Sequence, residues 1–342
     1  ITLSEVRNLA YSPETSVRKS AYETEIAAYE KVEDAIAFSL NYIKNQVTML
    51  SEKRGYASPL AMTLEQSRMK RETLDAMMAA IDEYLPVFRK YLRKKGGMLG
   101  HVNGLPWYDL FAPLGKADKT YSIEEAKQYL IDTFTKLTPE MADLMREAFE
   151  NEWIDFYPRK GKEGGAFCAG AMWLKQSRIL TNYDGYFGSV DTLAHELGHA
   201  FHNRQIENHA PLNQDYPMPV AETASTFNEV HLGKAARAEA SGEELLNLLE
   251  NDIKEQTQCI VDIYSRYLFE TAVFEQSQNK FLMADDLKQI MLDAQKKTYG
   301  DGLDPECMHP YMWVCKGHYY SEGLSFYLSL IHISEPTRLG MI

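Results

Sequence analysis

The amino-acid sequence predicts a mainly α-helical protein with one small β-sheet set beside a particular helix. Three observations carry this. Two long stretches near the start are rich in Ala, Glu and Lys; a Gly- and aromatic-rich segment at 157–188 holds the only convincing strand-like runs; and helical texture returns from 189 to 298.

The elements follow in order. Residues 14–50 contain neither Gly nor Pro and read as helical. Residues 63–95 repeat that texture, with Pro86 as an expected kink or break and Gly96-Gly97 as the stop. Residues 122–136 and 138–151 read as two further helices. Thr138 stands where a cap is needed and Pro139 fits the first turn, where a missing N–H costs nothing. Ile179-Leu180 belongs to a short strand, and Asp184-Gly185 marks a turn. Ser189 then caps a helix from Val190, or Asp191 one from Thr192. A Pro- and Asn-containing loop near 208–219 interrupts the helical stretch.

His195-Glu196-Leu197-Gly198-His199 falls on that predicted helix. Residues i and i+4 share a helix face, so two imidazoles there can grip one metal ion while Glu196 reaches a water activated by it. Such a centre needs a third protein ligand and an open fourth position. In one large group a Gly and then a His follow the motif at fixed spacing. Here His202 and Gln205 stand at those places, which disfavours it. Another solution is a Glu from a second helix. Pro219 to Glu229 reads as its start, with Pro219 in the first turn, and offers Glu222, 23 residues after His199. His209 and Asp215, both in the loop, are rival ligands. Glu229, two turns after Glu222, is placed to accept the N–H of a ligand imidazole. His202 shares the face of His199 one turn on, and is read as supporting the site or touching substrate. Gly198 costs about 1 kcal/mol against Ala in mid-helix; close helix packing near the metal would explain it.

The motif, His202 and the run Glu222 to Glu229 resemble the thimet-type metallopeptidases of the oligoendopeptidase F family. The stretches Arg54 to Leu60, Trp107 to Pro113 and Gly164 to Cys168 agree, and the resemblance runs from near Ile1 to Tyr327. It implies a multi-helix zincin-type metallopeptidase fold with one Zn2+ on His195, His199 and Glu222, and Glu196 as general base. It implies a strand at Gly164, Gly165, Ala166 and Phe167 whose backbone lies along the bound peptide. It also implies a late His- and Tyr-rich segment, here with His318 and Tyr327 supporting the transition state. The implied activity is a zinc-dependent endopeptidase of the cytoplasm, hydrolysing short oligopeptides through a metal-activated water. A zinc carboxypeptidase with a similar motif helix and an inactive, truncated peptide-binding fragment are the competing readings.

Members of that family are longer, so the chain is expected to be a fragment: a partial N-terminal helical region at 1–98, a catalytic domain at 99–327 lacking its end, and a tail at 328–342. Leu328 to Arg338 resembles the in-frame translation of a sequencing-library adapter, which marks the tail as non-native.

Composition excludes other classes. A formal net charge of −13 argues against nucleic acid or an anionic membrane as partner. No apolar run reaches the eighteen residues of a membrane span. Four sparse cysteines, Cys168, Cys259, Cys307 and Cys315, read as free thiols of a reducing compartment. Nothing in the sequence speaks to oligomeric state.

Overall fold

The computed structural model describes residues 3–115, 119–163 and 165–320. Gly164, Tyr327 and the tail at 328–342 lie outside them. In chain order the main elements are α1 (Leu3–Asn8), α2 (Thr15–Tyr29), α3 (Glu33–Lys53), α4 (Pro59–Gln66), α5 (Arg71–Met98), α6 (Ile123–Thr135) and α7 (Pro139–Glu150), then β1 (Ile154–Asp155), β2 (Phe167–Ala171) and β3 (Gln176–Leu180), and finally α8 (Phe187–Ile206), α9 (Thr223–Glu239), α10 (Gly242–Thr257), α11 (Ile263–Ser277) and α12 (Ala284–Tyr299). The fold is mainly α with one three-stranded sheet, as expected.

These elements form two compact units, one taking 3–113 and 251–320 and the other 114–250, with the boundary inside α10. Compactness thus divides the chain differently from the segments 1–98 and 99–327, because α11 and α12 pack with α3 and α5.

In the first unit, the helical stretch expected at 14–50 is helical and divides into two helices, α2 and α3. Tyr29 from α2 and Ala37 and Leu40 from α3 bury in one cluster with Phe269, Leu287 and Met291. The turn at 30–32 lets both helices reach it, a tertiary demand that no Gly or Pro announces. Conversely, α5 runs unbroken through Pro86 and both glycines to Met98. Leu85, Phe88 and Leu92 hold one face in the core, while Pro86 lies on the exposed face, where water can satisfy the carbonyl it leaves unbonded. Gly96 marks a contact rather than a stop, since a Cβ there would touch the backbone of Gly104 and Leu105 at 3.5 Å. Ser58 caps α4, accepting the Ala61 N–H at 3.1 Å ahead of the helical stretch read from 63.

In the second unit, Ser122 and Glu125 form a reciprocal capping box at the start of α6. Thr138 stands at the cap position of α7, but its hydroxyl bonds the Glu140 carboxylate instead of a backbone N–H. The sheet has the order β1-β3-β2, with β1 parallel and β2 antiparallel to β3, and Cys168 opposite Ile179. β2 is thus an edge strand. The motif helix α8 begins at Phe187, earlier than either expected cap. Ser189 is committed to the preceding turn: its hydroxyl donates to Asp184 Oδ1 at 2.6 Å and accepts the Asp184 N–H at 3.2 Å. Leu193, Ala194, Leu197 and Ala200 of α8 bury against Leu130, Phe134, Met145, Ile179 and Leu232. That apolar face orients the helix, and the other face carries the histidines.

All four cysteines are free thiols. Among the described residues no helix is long and apolar enough to cross a membrane.

Candidate metal centre

The centre is built where α8 meets the start of α9. Gly198 makes the approach possible: a Cβ on it would stand 2.6 Å from the Ala224 carbonyl oxygen and 2.7 Å from Ser225 Cα. Asn228 locks the pair, donating from its amide to the Ala194 carbonyl at 2.9 Å. On the sheet side, the Asn203 amide donates to Ser177 Oγ at 3.1 Å. Helix α9 starts at Thr223, so Pro219 lies in a separate short turn, Met218–Val220, rather than in the first helical turn. Glu222 takes the residue before the helix, and its carbonyl accepts the Thr226 N–H at 3.0 Å. The helix end therefore fixes the backbone of Glu222 against the motif.

Three side chains converge there. His195 Nε2 and His199 Nε2 are 3.2 Å apart, and Glu222 Oε2 lies 3.3 Å from the first and 3.1 Å from the second. Among the described residues, these are the one group whose potential ligand atoms gather this closely. A zinc ion bound tetrahedrally at 2.0–2.1 Å separates its ligands by about 3.3 Å. The three atoms match the edges of such a tetrahedron, so the residues fit a zinc ion. His195 Nδ1 faces Glu229 Oε1 at 2.6 Å, so a neutral imidazole donates its Nδ1 proton there and turns the Nε2 lone pair inward. The Ser225 hydroxyl donates to Glu222 Oε2 at 2.5 Å. Ser225 was not singled out from sequence, although its place three residues after Glu222 is the available signal.

Electrostatics follow from this crowding. Burial works against a charged His195, but Glu222 and Glu229 outweigh it and push the imidazole up to about 10. Burial likewise opposes a charged Glu222, and hydrogen bonds from both histidines overcome it, holding the acid well below the usual carboxylate range. An ion entering this site would displace a proton from it. Glu196 differs. It is 4% exposed, and its Oε2 is buried with no hydrogen-bond partner. Burial raises its pKa, although the neighbouring histidines pull the other way. A buried carboxylate with a free oxygen beside three convergent ligand atoms is poised to accept a proton.

The remaining expected residues are placed as follows. His202 lies on α8 with its ring stacked on Tyr216 at 4.4 Å between centroids, and burial lowers its pKa. Gly165 and Ala166 precede β2 and Phe167 opens it. Of the rival ligands, neither His209 nor Asp215 joins the cluster. His318 stands, exposed, in the short helix Gly317–Tyr320 of the other unit.

A helical fold in which two imidazoles of a His-Glu-x-x-His helix meet a carboxylate at the head of a second helix defines the class of metallopeptidases. The family model described as Peptidase family M3 matches residues 8–329, and the chain belongs to that family. It is 30% identical over 309 residues to oligopeptidase PepF of Bacillus subtilis, covering 89% of this chain and 46% of that protein. Among solved structures it is similar to a candidate peptidase of Chlamydophila abortus, with TM-score 0.78 and 22% identity over 96% of this chain and 56% of that one. It is also similar to oligoendopeptidase-F of Enterococcus faecium, with TM-score 0.68 and 18% identity over 97% of this chain and 53% of that one. The chain spans about half the length of the curated relatives it matches.

Proposed function

We propose that this chain carries the catalytic centre of a zinc-dependent endopeptidase acting on short oligopeptides in the cytoplasm. One Zn2+ is held by His195, His199 and Glu222, within a catalytic domain assigned to residues 99–327 that follows a helical region at 1–98. The observation that carries the reading is the buried Glu196 Oε2, without a hydrogen-bond partner, next to a ligand triangle of tetrahedral dimensions.

Bound at this site, zinc would supply Lewis acidity toward a carbonyl oxygen and a lowered pKa for water. Glu196 Oε2 takes a proton from the attacking water and delivers it to the leaving amine, restoring the carboxylate. Its raised pKa suits both halves of that transfer. Glu229 keeps His195 in the tautomer that presents Nε2. Gly164, Gly165, Ala166 and Phe167 are assigned to lie along the bound peptide; Phe167 opens the edge strand β2, whose unpaired side among the described residues suits an extended peptide bound through main-chain hydrogen bonds. His318 and Tyr327 are assigned as donors to the developing oxyanion.

Glu196→Gln is the deciding variant. It should abolish cleavage of an internally quenched peptide while zinc content stays at one per chain; unchanged cleavage would refute the mechanism. Peptides with amidated C-termini should be cut as well as free acids. Loss of cutting on amidation would identify a carboxypeptidase, and zinc binding without hydrolysis a peptide-binding fragment.

A further inference from the structure

Helix α8 hands the chain to α9 through residues 207–222, and the accuracy of Glu222 depends on what holds that connection. At its start Arg204 pairs with Glu207 at 3.4 Å and Lys175 Nζ donates to Asn208 Oδ1 at 2.7 Å. The Gln214 side-chain amide donates to the carbonyls of Glu207 and His209 at 3.2 and 3.0 Å, tying the loop to its own start. Further on, the Tyr216 ring lies on the His202 ring, centroids 4.4 Å apart and planes 30° apart. The ring stack bears on the metal centre, because His202 is one helical turn beyond His199 and Tyr216 is six residues before Glu222. A stack at this distance and angle holds the two rings together beyond what burial alone supplies.

We propose that His202 is a positioning residue which, through its stack on Tyr216, sets the loop that delivers Glu222 to the two ligand histidines. The inference rests on the zinc reading given above, and it differs from a substrate-binding role for His202. The buried Nδ1 of His202 has no hydrogen-bond partner. What the side chain supplies to the loop is a flat ring face rather than a proton or a lone pair. A second ring of similar shape should therefore serve.

The test compares His202→Ala, His202→Phe, Tyr216→Ala and the double alanine variant in the 342-residue chain. Two readouts are taken: zinc affinity by chelator competition, and hydrogen exchange over 211–222 in the zinc-free protein. His202→Ala and Tyr216→Ala should each weaken zinc by about tenfold, the low end for residues that orient ligands. Each should also speed exchange across the loop. The double variant should be no worse than either single one, and His202→Phe should stay within about twofold of the parent on both readouts. The proposal is overturned if His202→Phe behaves like His202→Ala, or if the alanine variants raise KM at unchanged zinc affinity and exchange. Should the parent chain bind no zinc, the peptidase reading fails, and the exchange comparison still decides the stack's role. Should His202→Ala not fold, Tyr216→Ala and His202→Phe carry the comparison.

Discussion

Gly198 and Ala224 touch backbone to backbone: a methyl group on Gly198 would reach within 2.6 Å of the Ala224 carbonyl oxygen. Ala is the better helix former by about 1 kcal/mol. The clash is with main chain of α9, so either that helix moves or α8 distorts, at a cost of about 1–3 kcal/mol. Gly198→Ala is therefore expected to destabilise the protein and to weaken zinc binding, because α9 carries Glu229 and starts next to Glu222. Urea unfolding and chelator competition check this; a stabilised variant with unchanged zinc affinity would contradict it.

Glu229 orients His195 through the 2.6 Å contact to Nδ1. Glu229→Ala should weaken zinc about 10–100-fold, with Glu229→Gln falling between, since an amide oxygen still accepts the Nδ1 proton. Equal affinity in all three proteins would remove Glu229 from the site.

A different part of the chain governs acid stability. Burial favours the neutral acid at Glu25, but His309, with Nε2 3.8 Å away, and Arg7, bonded at 2.8 Å, outweigh it and hold the carboxyl at about 2. At 3.8 Å the His309 contribution is charge attraction rather than a hydrogen bond. A carboxyl lowered by folding adds stability that is complete above its unfolded value, 4.5, and is lost as pH falls toward about 2. On the order of 1 kcal/mol should be gone by about pH 4. The stability gap between the parent and Glu25→Gln, measured by urea unfolding, should shrink from pH 6 to pH 4. A gap that does not change with pH would show that Glu25 acts by packing alone.

Lys44 and Glu270 form an ion pair at 2.6 Å with neither side chain exposed. Lys44→Met leaves a buried carboxylate without its counter-ion, at about 3–5 kcal/mol. Combining it with Glu270→Leu removes the stranded charge and should recover most of the loss. Chemical denaturation of the three proteins would show whether recovery occurs.

The motif helix and the placing of Glu229 two turns after Glu222 were legible as spacings, whereas the choice of Glu222 over His209 and Asp215 came from the family resemblance. Those two spacings depend on helical periodicity, which is local. Helix boundaries were less legible. Ser189 looked like a cap and instead ties a turn to Asp184; Pro219 looked like a first helical residue and sits in a separate turn; Thr138 holds a cap position without making the cap bond. In each case a polar side chain had several partners within reach, and only the folded surroundings selected one. Pro86 shows the reverse, a local breaker overridden because the rest of α5 is anchored in the core.

By itself the sequence determined the residue types, their order on each helix and hence which side chains could share a metal, because i, i+4 and i+7 relations follow from helix geometry alone. It also determined the mainly α class with a small sheet. Tertiary structure alone decided that Glu222 Oε2 comes within 3.3 Å of both histidines, that Glu196 Oε2 is buried without a hydrogen-bond partner, and that Tyr216 covers His202. Those outcomes arise from backbone contact at Gly198 and from burial across separate elements, and such contacts join residues that no local spacing relates.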